Sequence, residues 1–181
     1  MTNKATDSYN ETYLYTKEEK IKWFGEGEWV DEPDVIEFEH AGLRCCVCRN
    51  VSRETCEEFH ISGGNLIGGN LNGYVGIDET HPLYGKKTHE IYLDVHGGVT
   101  FSDHTDKGAW IGFDCAHSGD LVPSTQQIKK ELFDDIFPAN WELRKYAIFN
   151  PTYRNKEYVI SECKKLADQI KTMKLNIEES K

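Results

Sequence analysis

Apolar and polar residues alternate from Val35 to His40, with Ile36, Phe38 and His40 on one side and Val35, Glu37 and Glu39 on the other. Ala41-Gly42 supplies a turn and Leu43 to Arg49 returns, so the pattern predicts a β-hairpin. Further strands are predicted over Tyr74–Ile77, over Glu90–Val95 and Gly98–Ser102 meeting at His96-Gly97, and over Ala109–Cys115. Near the C-terminus the period changes. Val159, Cys163, Leu166, Ala167 and Ile170 fall on one stripe of a helix that starts near Asn155. Ile128, Leu132, Phe133 and Ile136 predict another helix, from Gln126 to Phe137, capped by Ser124 or Thr125 and stopped by Pro138. Thr16-Lys17-Glu18-Glu19 is a capping box that opens a short helix through Ile21, Trp23 and Phe24, ended by Gly25. Trp29 to Asp34 reads as a turn.

Hairpins with few crossover helices predict an α+β fold: an antiparallel sheet of about five strands with the C-terminal helix packed on one face. The expected organisation is an N-terminal tail and short helix over residues 1–28, a single domain over 29–175, and a tail over 176–181. A chain of 181 residues is long enough for one core. The repeated Gly-Gly-Asn-Leu, at 63–66 and 68–71, reads as a flexible surface loop, because a phosphate cradle needs a helix after it and here a strand follows.

The net charge of −10 argues against general nucleic-acid binding, which needs clustered Lys and Arg. No apolar run approaches the ~20 residues of a membrane span, and the N-terminus has no signal-peptide stretch, so the expected location is intracellular. The six cysteines are accordingly expected as thiols. Cys45, Cys48, Cys56 and His60 offer a loose zinc-ligand set, but Cys45 and Cys48 would point to opposite faces of a strand. Cys46 and Cys48 share a face and suit a buried strand, and Cys163 lies on the apolar helical stripe.

The candidate chemistry gathers at two predicted strand ends. His96 precedes Gly97-Gly98, and Asp114, His117 and Asp120 follow the run Trp110 to Phe113. Imidazole and carboxylate are ligands for zinc or manganese, and a catalytic metal needs only three of them plus water. The same groups suit acid–base work, or a polar pocket for a small ligand. His81-Pro82-Leu83-Tyr84-Gly85-Lys86 is a rigid turn in which His81, Tyr84 and Lys86 could meet that ligand. A Cys115 nucleophile near His117 has weaker support, and no metalloprotease, Walker or Rossmann motif occurs.

Trp29 to Asp34, Val47 to Asn50, Gly73 to Gly76, His81 to Gly85, Val95 to Thr100, Gly112 to Asp120, Tyr158-Val159 and Glu162-Cys163, in that order, resemble a family of small proteins widespread in bacteriophage and prophage genomes. The resemblance covers roughly residues 29–170. The sequence departs from the family at Leu71-Asn72, where a cysteine is frequent, and in the Gly-Gly-Asn-Leu repeat and the helix from Ile128 to Ile136, which read as additions. The family has no established activity, so the resemblance implies context: an accessory protein in the host cytoplasm. Three functions are expected from residues and context together. The first is a small, nucleotide-like ligand bound by His81, Tyr84, Lys86, His96, Asp114, His117 and Asp120, to counter host defence. The second is a metal-dependent hydrolase using His96, Asp114, His117 and Asp120. The third is an inhibitor that binds a host protein through its acidic surface.

Overall fold

The computed structural model describes residues 8–52, 67–105, 108–125 and 151–178. Its centre is an antiparallel sheet of strands β1 (Asn10–Thr12), β2 (Val35–His40), β3 (Leu43–Ser52), β4 (Ile67–Ile77), β5 (Phe101–Thr105) and β6 (Gly108–Phe113). The spatial order is β1-β2-β3-β4-β6-β5, so the sheet has six strands rather than about five. Helix α1 spans Lys17–Phe24 and helix α2 spans Lys156–Glu178. Together these make an α+β fold. No helix among the described residues is long and apolar enough to cross a membrane.

The predicted hairpin forms with the expected boundaries, His40 pairing with Leu43 and Val35 with Cys48. Thr16 caps α1 in both directions: its hydroxyl accepts from Glu19 N–H and its own N–H donates to Glu19. Helix α2 lays Val159, Cys163, Leu166, Ala167 and Ile170, all fully buried, over β3 and β4. The facing side chains are Ile36, Phe38, Cys45, Val47, Leu71, Val75, Ala109, Ile111 and Phe113. Cys45 is therefore on the core face, and Cys46 and Cys48 are not. They stand half-buried on the opposite face, because side chains alternate along a strand and Cys45 and Val47 take the core positions.

Three further expectations are corrected. Gly68-Gly69-Asn70-Leu71 is not a surface loop but a buried stretch of β4. Gly68 and Gly69, at φ +113° and +93°, absorb an irregularity in the register opposite Arg49 to Val51, a conformation only glycine adopts at low cost. Residues Glu90–Val95 are not a strand; a short 3-10 turn at Thr88–Glu90 leads into irregular chain. The backbone there is satisfied by α2 instead of by a neighbouring strand. Gln169 exchanges two hydrogen bonds with the Asp94 main chain, at 2.9 and 2.8 Å, and Glu162 accepts from His96 N–H at 2.8 Å. Of the segment Gly98–Ser102, only its end enters β5. The first Gly-Gly-Asn-Leu, Cys56, His60 and the helix Gln126–Phe137 lie outside the described residues.

Phe24, Trp29 and Val30 form a second, smaller apolar cluster, and charged groups are also buried in this part of the chain. Lys20, Asp34 and Arg49 are all at most 8% exposed. Lys20 Nζ lies 3.0 Å from Asp34 Oδ1, and Arg49 Nε donates to the same oxygen at 2.7 Å. Arg49 also donates to the Gly69 and Pro33 carbonyls and to Tyr153 Oη, which in turn donates to Glu32 at 2.6 Å. Burial pushes the Lys20 ammonium below its ordinary pKa despite Asp34, and pushes the Glu32 carboxyl up despite its hydrogen bonds to Tyr153 and Lys156 N–H. The segments Trp29–Asp34 and Val47–Asn50 therefore include members of a structural network.

Candidate functional site

His96 lies in the irregular chain before β5, Asp114 and His117 just beyond β6, and Asp120 three residues further on. The Asp120 turn is held in place by Thr152, which exchanges backbone hydrogen bonds with Gly119 and Leu121 at 2.9 Å. Those bonds bring the turn beside the start of α2. His96 Nε2 donates to Asp120 Oδ2 at 2.8 Å, and His96 Nδ1 meets the Tyr158 hydroxyl at 2.9 Å. The donor and acceptor roles at that imidazole follow from its partners. Asp120 also accepts from Arg154 Nε at 2.8 Å and from His117 N–H at 3.0 Å. Its side chain is 1% exposed. Burial alone would raise its carboxyl, but Arg154, His96 and the His117 amide together hold it below the ordinary carboxylate value.

His117 is placed differently. Its ring covers Gly97, so closely that a Cβ on Gly97 would stand 2.1 Å from the imidazole. Gly97 also has φ +66°, which makes glycine necessary there on both counts. The His117 ring sits edge-on to His96, with centroids 5.5 Å apart. Its Nδ1 lies 3.6 Å from Asp114 Oδ1 and 3.8 Å from Asp120 Oδ2, both too long for hydrogen bonds. That atom is buried and has no hydrogen-bond partner. An N–H hydrogen or a metal cation at that atom is attracted by both carboxylates, whereas a bare lone pair is repelled by them. His96, His117 and Asp120 each offer a ligand atom, and these atoms all lie within 4.8 Å of one another.

Asp114 links this cluster to a cleft of about 370 Å³ lined by Asn50, Asn72, Tyr74, Thr100, Asp114 and Ala116, with Phe101 and Phe113 completing its walls. Tyr74 and Phe101 meet edge-to-face with centroids 5.3 Å apart. Asp114 itself is fixed by its N–H to Thr100 Oγ1 and by accepting from Ala116 N–H, each at 3.0 Å. Cys115 is buried, and its burial pushes the thiol up to about 12, which makes it a poor nucleophile.

The structure thus brings together His96, Asp114, His117 and Asp120. His81, Tyr84 and Lys86 are elsewhere. His81 is buried, and both its ring nitrogens are engaged: Nδ1 accepts from Leu83 N–H and Nε2 donates to the Ile170 carbonyl, each at 3.1 Å. Ile170 is eight residues beyond Glu162, which holds His96, or about 12 Å along the helix. Tyr84 and Lys86 are exposed on the same turn, whose Lys86 carbonyl accepts from Ser102 Oγ at 2.6 Å, and neither lines the cleft. Arg154, Tyr158 and Glu162 are the site residues that the sequence reading missed. The spacing of four between Tyr158 and Glu162 places those two on one face of α2, and Arg154 lies just before the helix.

Burial holds the His81 imidazole below its ordinary pKa. The folded protein therefore disfavours the protonated ring, whereas the unfolded chain protonates it near pH 6.5. Stability contributed by neutral His81 is present above pH ~6.5 and is lost as pH falls below that value toward the depressed folded pKa. Tm measured between pH 7.5 and 5 should fall in the wild type and fall less in His81→Gln. Equal slopes in the two proteins would show that His81 does not carry this dependence.

The fold and the site define a one-sheet α+β protein with a His/Asp cluster at one end of its long helix. Compared with family models, with curated proteins and with solved structures, the chain matches none.

Proposed function

We propose that the protein binds a divalent cation through His96, His117 and Asp120 and hydrolyses a small polar substrate held in the adjoining cleft. The observation that carries this reading is His117 Nδ1, buried without a partner and facing Asp114 and Asp120. Metal–nitrogen and metal–oxygen bonds of about 2.0–2.2 Å suit the two separations from Asp120 Oδ2, 2.8 Å to His96 Nε2 and 3.8 Å to His117 Nδ1, within a set that spans at most 4.8 Å. The surrounding bonds have the character of an outer shell: Tyr158 orients His96 and Arg154 orients Asp120. A bound cation would polarise substrate and lower the pKa of a coordinated water. Asn50, Asn72 and Thr100 supply polar contacts in the cleft, and the Tyr74–Phe101 pair supplies an aromatic wall.

That aromatic wall also favours a second reading, a binding protein for a nucleotide-like ligand that is not turned over. The resemblance to phage proteins would set either activity in a host cell, against a small molecule used in defence. An inhibitor acting on a host protein through its net charge of −10 is the third reading.

Manganese separates these, because it favours carboxylate and imidazole over thiols. Dialysed protein titrated with Mn²⁺ in a calorimeter should bind one equivalent, and His117→Ala should bind none while keeping its circular dichroism. A wild type that binds no Mn²⁺ sinks the metal reading. Mn²⁺-loaded protein is then offered a nucleotide panel: new products support hydrolysis, and a nucleotide retained but recovered unchanged supports the binder.

A further inference from the structure

Outside the His/Asp cluster, Cys46 and Cys48 stand side by side on the sheet face opposite α2, with their sulfurs 3.1 Å apart. The pair is in the middle of the sheet. Cys46 is paired in register with Glu37 and Tyr74, and Cys48 with Val35 and Asn72. Both thiols are half-buried rather than enclosed, unlike Cys45, Cys115 and Cys163, which are buried. Cys48 is flanked on its own strand by Asn50 and across the sheet by Asn72, and both asparagines line the cleft. The dithiol therefore adjoins two residues of the cleft lining, on the same face of the sheet, without itself lining the cleft.

We propose that Cys46 and Cys48 form a thiol–disulfide exchange site that reacts with a low-molecular-weight disulfide such as oxidised glutathione. Cys48 is the attacking sulfur. Either sulfur of the contact can donate; with the Cys46 S–H as the donor, the Cys48 thiol is held below its ordinary pKa, although burial and the Glu37 carboxylate oppose the shift. Cys46, as the donor beside a sulfur anion, is held well above its ordinary value and serves as the resolving thiol. In the first step the Cys48 thiolate bonds to one sulfur of the reagent, and the other leaves as a thiolate. In the second step Cys46 loses its proton to that thiolate and bonds to Cys48 Sγ, and the second half of the reagent leaves. The protein dithiol is oxidised by two electrons and the reagent is reduced to two thiols.

Strand geometry makes the product labile. Same-face neighbours on a strand are about 6.6–6.8 Å apart, at the upper edge of the about 4.4–6.8 Å that a disulfide spans between Cα atoms. Closing the bond draws together two positions fixed by hydrogen bonds on both sides, and a strained disulfide is easily reduced. The site thus reports reversibly on the thiol pool, next to the residues that line the cleft. It does not depend on the cation reading.

The full chain is incubated with oxidised glutathione, blocked with maleimide, unfolded, blocked again and digested with trypsin. Cleavage after Arg44 and Arg49 releases the peptide Cys45–Arg49, which holds all the relevant sulfurs. Relative to the unmodified thiol peptide, the expected peptide has lost two hydrogens, about 2 Da, and gained one maleimide, on Cys45, and it fragments as a Cys46–Cys48 link. Excess reduced glutathione restores the free thiols. Cys46→Ser should stop at glutathione on Cys48, and Cys48→Ser should give no linked peptide while its circular dichroism stays that of the wild type. Cys46 and Cys48 both alkylated in the wild type, a link to Cys45, or a lasting glutathione adduct on the wild type would each overturn the proposal.

Discussion

Asp34→Ala is expected to lower the free energy of unfolding by about 3–5 kcal/mol, the cost of leaving buried charge without its partner. Asp34 is the only carboxylate within hydrogen-bond or ion-pair reach of both Lys20 Nζ and Arg49 Nε among the described residues, and its side chain is fully buried. Its second oxygen accepts the backbone N–H groups of Leu14 and Tyr15 at 2.9 and 3.0 Å, which fixes the chain between β1 and α1. Removing the carboxylate therefore takes the close ion pair from two cations and the acceptor from two amides, leaving Lys20 the Glu32 carbonyl and Arg49 a longer contact, Nη2 to Glu32 Oε2 at 3.5 Å. Glu32 does not replace it, because Tyr153 and the Lys156 amide already occupy its oxygens at 2.6 and 2.7 Å. Urea denaturation followed by tryptophan fluorescence measures the loss directly. Tyr153→Phe removes one hydroxyl from the same network and should cost less, about 1–3 kcal/mol. If Asp34→Ala does not accumulate, Arg49→Lys gives the measurement: it keeps the charge but loses the planar fork that serves Asp34, Gly69, Pro33 and Tyr153 at once. An Asp34→Ala protein within 1 kcal/mol of wild type, by the same cited range, would mean that water replaces the carboxylate and the network is not dry.

That network also shows where sequence reading stopped. Charged residues are almost never fully buried, so Lys20, Asp34 and Arg49 in a polar chain pass for surface. The elements that were legible have local causes: the capping box at Thr16, the Ala41-Gly42 turn, and the 3.6-residue stripe of α2. The segment from Glu90 to Val95 was misread because its alternation is real but serves another surface. Ile91 and Val95 enter the core while Asp94 and His96 give their backbone to side chains of α2. His81 and His96 look alike in sequence, each beside turn-forming residues, and only tertiary contacts distinguish them. Two backbone partners occupy His81, and a carboxylate and a tyrosine hold His96. The cluster of His96, Asp114, His117 and Asp120 was legible because strand ends and glycines mark it. Tyr158 and Glu162 lie on a helix whose sequence signal is its apolar face, and Arg154 lies in the irregular chain just before it.

Asp120→Asn is the change with the largest expected effect on cation binding. Asn keeps the shape of Asp120 but offers one carbonyl oxygen and no negative charge, where Oδ2 now serves His96 and His117 and Oδ1 serves Arg154. Outer-shell changes at metal sites cost about 10–100-fold in affinity, so Tyr158→Phe, which leaves all proposed ligands in place, sets that scale. Loss of the charged ligand itself should exceed it, and Mn²⁺ binding to Asp120→Asn should fall by more than about 100-fold. The variant also weakens the bonds to His96 and Arg154, so its stability without metal should drop by about 1–3 kcal/mol. Stability and binding must therefore be read separately. At Mn²⁺ equal to 100 times the dissociation constant, the wild type should gain about 2.7 kcal/mol from linkage alone. At the same concentration Asp120→Asn should gain almost nothing, and Tyr158→Phe should keep an intermediate gain. A wild type stabilised by Mn²⁺ whose gain survives in Asp120→Asn would remove Asp120 from the ligand set and leave His117 and Asp114 to hold the ion. A wild type with no gain, beside an Asp120→Asn that is merely less stable, would make the His96–Asp120–Arg154 arrangement a structural clasp between the Asp120 turn and the start of α2.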